Sequence, residues 1–259
     1  MEVTCLMDDV KQFGDRLITT GDLDPVYLAV HNAQLPEPQL CRLLLSYMLF
    51  YHLGAAAWLS EHEGADFWHQ ARHAAENILP APTGGRWPRA AERRHFRGVK
   101  CVQAVDWFAT RPPEDYIRPL AEFKTEAEVM AAVKQWPMFG DWVAYKAADL
   151  IDRIYGAQLI WSSDVVLLYD SPRKALSLLN VSAPKDTFEY LMDYFASHVA
   201  PPRGDRPCGA AETETVCCKW GSMRTGHYHV GKDIHEIRHG LSAWGHTASR
   251  LLATAPAEV

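Results

Sequence analysis

No stretch of the chain approaches the roughly 18–20 consecutive apolar residues that a bilayer-crossing helix needs, so no membrane-spanning helix is expected. The first residues, Met1-Glu2-Val3-Thr4-Cys5 with Asp8-Asp9 soon after, lack the basic head and apolar middle of a secretory signal. The expectation is therefore a cytoplasmic protein. Cysteine is scarce: Cys5, Cys41, Cys101, Cys208, Cys217 and Cys218 are the six in 259 residues. The count is even, but a disulfide scaffold is not expected at this size in a reducing compartment. Positive charge is also in short supply. Lys and Arg total 26 against 32 Asp and Glu, a formal net charge of −6, which argues against nucleic-acid binding by overall charge and leaves only a local patch to do it. No internal repeat and no low-complexity tract is present.

A hydrophobic content of 48% with 11% aromatic is ample for a packed core, and the length allows one large domain or two small ones. The periodicities are helical. Val10, Phe13, Leu17 and Ile18 mark an amphipathic start. Gln39 to Leu59 is apolar nearly all round and reads as one buried helix. Further helices are expected over Glu61–Leu79, Arg97–Thr110, Lys124–Trp136 with a capping box from Thr125 to Glu128, Asp141–Tyr155, Asp164–Tyr169, Pro172–Leu179, Asp186–Ser197 and Asp233–Leu252. Pro201-Pro202-Arg203-Gly204-Asp205-Arg206-Pro207 reads as a linker. The expected architecture is mainly α: a helical body over residues 1–200 carrying a hairpin at 136–150, and a Cys- and His-containing extension over 201–259 packed on it.

Two segments carry chemistry. Gly84 to Lys100 holds Arg86, Arg89, Arg93, Arg94, Arg97 and Lys100 against a single acid, Glu92. Guanidinium groups clamp phosphates, and Trp87, His95 and Phe96 offer stacking faces, so the loop reads as a contact for DNA or pyrophosphate; the plainer reading is a solvated basic helix start. Trp136-Pro137-Met138-Phe139-Gly140-Asp141 reads as a tight turn between two helices, with Gly140 supplying a permissive backbone and Asp141 capping the second helix. On that helix Lys146 and Arg153 stand three before and four after Asp149, at ion-pair spacing. Asp164 follows Ser162-Ser163 and, from the residues alone, reads as a cap of the next helix. His235-Glu236-Ile237-Arg238-His239 formally matches a zinc motif, without a metzincin-spaced third histidine; a chance match is the better reading. Cys217-Cys218 with Cys208, His227 and His229 invites a metal reading that adjacent cysteines serve poorly, so no metal and no cofactor is expected.

The turn resembles the Leu-Pro-Gly-Val-Gly-x-x-x-Ala hairpin of helix-hairpin-helix DNA glycosylases, departing from it at Met138, where the first glycine is missing. Joined to His52-Leu53-Gly54-Ala55-Ala56-Ala57-Trp58, Phe67-Trp68, Thr215-Val216-Cys217-Cys218-Lys219-Trp220 and Tyr228-His229-Val230-Gly231-Lys232-Asp233-Ile234, it resembles the phage alpha-glutamyl/putrescinyl thymine pyrophosphorylase family, the amino acid:DNA transferases related to those glycosylases. That resemblance implies a glycosylase-like helical fold. It also implies transfer of an amino acid or polyamine amine onto 5-hydroxymethyluracil in DNA, displacing a pyrophosphate installed by a separate kinase. Base flipping is implied with it. The residues assigned on this basis are Asp164, Asp149, Lys146 and Lys219 for catalysis. Arg86, Trp87, Arg89, Arg93, Arg94, His95, Arg97, Phe139, Gly140, Cys218 and Trp220 are assigned to substrate and DNA. The partners implied are DNA bearing modified thymine and an amine co-substrate, in a host cytoplasm if the chain is phage-encoded. A glycosylase and a noncatalytic DNA-binding module are the alternatives.

Overall fold

The computed structural model describes residues 2–179 and 183–259. Met1 of the N-terminal stretch and residues 180–182 of the predicted body lie outside the described residues. The chain is mainly α. Among the described residues there is no strand, only an antiparallel bridge between Val199 and Pro207. In chain order the helices are α1 (Glu2–Thr20), α2 (Pro25–Asn32), α3 (Glu37–Phe50), α4 (Leu53–Ser60), α5 (Gly64–Glu76), α6 (Val99–Phe108), α7 (Glu114–Ile117), α8 (Glu126–Val133), α9 (Asp141–Leu150), α10 (Asp170–Leu178), α11 (Pro184–Phe195), α12 (Ala210–Arg224), α13 (Lys232–Leu241) and α14 (His246–Thr254). None of the described helices is long and apolar enough to cross a membrane.

Two compact units divide the chain. One comprises Met1–Leu28, Ile160–Glu236 and Pro256–Val259; the other comprises Ala29–Leu159 and Ile237–Ala255. In the first unit α1 packs on α11 and α12. The apolar stripe of α1 buries Val10, Phe13 and Leu17 as its period predicts, each side chain being worth about 1.5–3 kcal/mol when withdrawn from water. Close packing here depends on Gly14, where a Cβ would stand 2.3 Å from the Phe195 ring. Helix α12 lies in the Cys- and His-rich tail and escapes a periodicity reading because Ala210 to Cys217 are buried on every side. The predicted linker is a tight loop: Ala200 N–H donates to Arg206 O at 2.8 Å, and Arg206 pairs with Glu212 at 3.0 Å.

In the second unit the single helix expected over Gln39–Leu59 is two helices. Tyr51 ends α3 in the left-handed region (φ 50°), and His52 opens α4 by accepting the Ala55 N–H at its Nδ1, 3.1 Å away. Continuous apolarity concealed the break, because the residues on both sides are buried. Helix α4 is apolar on all faces for a reason that its glycine makes visible. A Cβ on Gly54 would lie 2.2 Å from the Gly240 carbonyl and 2.5 Å from the Trp244 ring. The helix expected over Asp233–Leu252 likewise breaks, at Ala243 (φ 68°) and Gly245 (φ 98°), so that α14 turns back along α4.

Candidate functional site

The second unit holds the turn and the basic loop. Helix α8 opens with the predicted capping box: Thr125 Oγ1 accepts the Glu128 N–H at 3.3 Å, and Glu128 Oε2 accepts the Thr125 N–H at 3.0 Å. After α8 the chain tightens through Trp136 N–H to Val133 O (2.9 Å) and Phe139 N–H to Trp136 O (3.2 Å), then enters α9 at Gly140. Two expectations for the turn are corrected. Its left-handed residue is Met138 (φ 67°), while Gly140 sits at φ −98°, open to any residue. Asp141 does not cap α9: it is the first helical residue and pairs with Lys134 at 2.7 Å. The N-cap position belongs to Gly140, which makes no side-chain cap. A Cβ there would meet nothing within 4 Å, so the N-terminus of α9 opens onto free space. Phe139 is buried among Phe108 and Trp136, at ring separations of 5.6 and 5.3 Å.

The cations of the loop fall into two sets. Arg86, Arg94, His95, Arg97 and Lys100 are exposed. Arg89 and Arg93 turn inward and spend their donors on backbone carbonyls. Arg89 donates to Phe96 O, Ala74 O and, at 3.0 Å, Trp87 O. Arg93 is 6% exposed; its Nε donates to Leu49 O at 3.0 Å and its Nη1 to Met138 O at 2.9 Å. The guanidinium stands over Phe96 (4.5 Å) and Phe139 (5.1 Å). Burial lowers both guanidinium pKa values to about 10, which leaves them charged near neutrality. Trp87 is buried as well, its backbone N–H held by Asn77 Oδ1 at 2.8 Å.

Toward the C-terminal half of α9 the structure brings Lys146 and Asp149 together, Nζ to Oδ2 at 3.3 Å, with Arg153 Nη1 3.5 Å from Oδ1. These are the pairings that the spacing predicts. Asp149 and Arg153 are almost wholly buried, and the Lys146 side chain keeps 15% of its surface exposed. Beyond α9 the helix widens into a π turn over Ile151–Tyr155, where Gly156 N–H reaches back to Ile151 O at 2.9 Å. Asp152 accepts the Leu159 N–H at 2.8 Å, and Tyr155 donates its hydroxyl to Glu37 at 2.6 Å. π turns of this kind recur at functional sites. His52, the first residue of one of the motifs that carry the resemblance, is a further titratable group of this unit, and its capping role is set by the fold. Burial lowers its pKa to about 4, so it is neutral, and its ring stands 5.5 Å from that of Trp244.

The remaining assigned residues lie in the first unit. Asp164 is exposed, accepts from Lys185 Nζ at 2.6 Å, and is held below the usual carboxylate range by that lysine. The cap of its short 3-10 turn is Ser162, whose Oγ accepts the Asp164 N–H at 3.1 Å. Lys219 is engaged inside the unit, donating to Asp22 O at 2.5 Å and pairing with Asp233 at 2.6 Å. Trp220 is buried and donates its indole N–H to Asp9 at 2.9 Å; Cys218 is half-buried beside it in α12. Asp22, fully buried, accepts from Tyr228 Oη (2.5 Å), Gly231 N–H (2.6 Å) and Ile234 N–H (3.0 Å). In the zinc-like motif His235 is exposed and lies 3.6 Å from Glu258, and Glu236 lies 3.8 Å from Lys232. Among the described residues no three His, Cys, Asp or Glu gather as a metal-holding group.

Residues 7–229 match the family model described as amino acid:DNA transferase. A protein named glycinyltransferase from Pseudomonas phage PaMx11 is 38% identical over 264 residues, covering 91% of this chain and 90% of its own. A protein named putrescinyltransferase from Delftia phage PhiW-14 is 27% identical over 263 residues, covering 94% of this chain and 82% of its own. The chain belongs to the amino acid:DNA transferase family and is a transferase that acts on DNA.

Proposed function

We propose that this chain joins an amino acid or polyamine, through its amine, to the exocyclic methylene of a modified thymine in DNA, displacing pyrophosphate from 5-(pyrophosphoryloxymethyl)uracil in the cytoplasm of a phage host. In that step the amine nitrogen forms a bond to the methylene carbon, the carbon–oxygen bond to pyrophosphate breaks, and the amine loses a proton. The chemistry asks for fixed positive charge at the leaving group and a group that accepts the proton.

The observation that carries the reading is the family match over residues 7–229, in a chain whose Lys146–Asp149–Arg153 set runs from the second turn of the helix that the hairpin opens into the π turn beyond it. Asp149 holds Lys146 in place, and Lys146 Nζ, at the solvent edge of the set, meets the departing pyrophosphate. The exposed Arg86, Arg94, Arg97 and Lys100 take DNA phosphates, and the N-terminus of α9, with open space beside Gly140, faces another. Asp164 stays a candidate proton acceptor, since its carboxylate is exposed and ionised. Greater identity to the glycinyltransferase than to the putrescinyltransferase makes glycine the first amine to try.

The test is to incubate the protein with DNA carrying pyrophosphorylated 5-hydroxymethyluracil and glycine, glutamate or putrescine, then digest to nucleosides for mass spectrometry. A nucleoside carrying the amine, with release of pyrophosphate, is expected. Release of a free base with an abasic site would instead establish a glycosylase. Binding with neither product would leave a noncatalytic DNA-binding module.

A further inference from the structure

We propose that Arg93 takes over the task of the glycine missing at Met138: it is a positioning residue that holds the hairpin turn in its left-handed, DNA-facing conformation. The inference rests on the reading that this turn faces DNA, and its test separates the two claims.

Met138 occupies φ 67°, a region where an L side chain crowds its own backbone and where glycine sits without penalty. A residue persists there only when its surroundings over-determine it. Here the over-determining contact is visible. Arg93 Nη1 donates to the Met138 carbonyl at 2.9 Å while Nε of the same guanidinium donates to Leu49 O at 3.0 Å, which ties the turn to the end of α3. Phe96 and Phe139 face the guanidinium at 4.5 and 5.1 Å and fix its plane. Rotating the Met138 peptide toward an ordinary φ would withdraw that carbonyl and strand a second donor on a cation that already has Nη2 buried without a hydrogen bond. The side chain of Met138 meanwhile stays 37% exposed, so packing of that side chain is not what secures its backbone.

No carboxylate among the described residues pairs with Arg93, which is rare for a guanidinium buried this deeply. Its charge is met by two carbonyl oxygens and two aromatic faces. The clamp therefore adds positive charge beneath the turn, in the sense that favours an approaching phosphate.

The test is a cycle of Arg93→Lys, Met138→Gly and the double variant, with three readouts. Hydrogen exchange over residues 136–143 without DNA reports the order of the turn, fluorescence anisotropy on duplex DNA reports affinity, and thermal melting reports stability. Met138→Gly alone should exchange and bind like the parent, within about twofold. Arg93→Lys should speed exchange in the turn and weaken binding by about tenfold or more. The double variant should recover most of the turn protection and affinity while its melting temperature stays lowered, because the hydrogen bond to Leu49 O remains impaired. Additive losses with no recovery on adding glycine, or unchanged exchange in Arg93→Lys, would overturn the proposal. Should Arg93→Lys fail to fold, a folded double variant supports the proposal and an unfolded one overturns it. If exchange follows the cycle and DNA affinity does not, the positioning role stands and the assignment of this turn to DNA falls.

Discussion

The Tyr228 hydroxyl donates to the carboxylate of Asp22 at 2.5 Å, and the two residues lie 206 positions apart in sequence. The same carboxylate accepts the backbone N–H groups of Gly231 and Ile234 and so closes the first turn of α13, while the Asp22 carbonyl receives Lys219. Burial and the neighbouring Asp233 raise the phenol pKa, which keeps Tyr228 a donor at any working pH. Asp22→Asn would place an amide donor among donors. The expected loss is about 2–3 kcal/mol, read as a lower denaturant midpoint with unchanged slope. Tyr228→Phe, which removes one donor and leaves two, should cost about 1 kcal/mol.

Lys146 and Asp149 separate catalysis from stability. Lys146→Met removes the solvent-edge cation and leaves Asp149 paired with Arg153, so amine transfer should fall at least about a hundredfold with a modest drop in melting temperature. Asp149→Asn leaves Arg153 and Lys146 facing a neutral amide in a buried site. That variant should lose about 3–5 kcal/mol of stability, and transfer should fall with it. Equal activity of Lys146→Met and the parent in single-turnover assays would remove Lys146 from the reaction.

Much of the second unit was legible in sequence for physical reasons. The capping box at Thr125, the helix opening after Gly140 and the Lys146–Asp149–Arg153 spacing are local patterns, and local patterns survive folding. What escaped is set by residues distant in sequence. Tyr51 breaks an unbroken apolar run because α4 must approach Gly240 and Trp244, which no window around residue 51 contains. Arg93 and Arg89 look like their exposed neighbours Arg94 and Arg97, and only the fold decides which guanidinium reaches carbonyls and which reaches solvent. Asp22 sits in a Gly-Asp-Leu-Asp-Pro turn whose composition explains it locally, so its part in fixing the tail could not be seen.

That division of the arginines has a measurable consequence. Neutralising Arg94, Arg97 or Lys100 should weaken DNA binding about equally for any sequence and lower the slope of log affinity against log salt by about 0.9 for each phosphate that is no longer neutralised. Arg89→Gln should act differently, lowering the melting temperature by withdrawing donors from Phe96 O, Trp87 O and Ala74 O. Stability unaffected by Arg89→Gln would contradict its inward role.

Asp164 and Lys185 form an exposed pair that solvent screens, so Asp164→Asn should leave the melting temperature nearly unchanged. Any large loss of amine transfer in that variant would then be chemical in origin. Retained transfer would take Asp164 out of the mechanism and leave its Lys185 pair as a surface contact.

His52 should impose a pH dependence on folding. Burial lowers its pKa from the ordinary 6.5 to about 4, and the neutral ring's Nδ1 accepts the Ala55 N–H that caps α4. The unfolded chain therefore binds a proton that the folded chain refuses. Stability from this residue is fully present above pH 6.5 and is lost as pH falls through the folded value near 4, with a total of about 3 kcal/mol. Asparagine at an N-cap accepts the same N–H without titrating. His52→Asn should thus keep α4 capped and remove one proton's worth of slope from the stability curve between pH 6.5 and 4, whereas His52→Ala should also remove the slope and lie about 1 kcal/mol below His52→Asn at every pH. Urea titrations at pH 7, 5.5 and 4.5 discriminate these outcomes, and a parent-like slope in His52→Asn would assign the acid sensitivity to other groups.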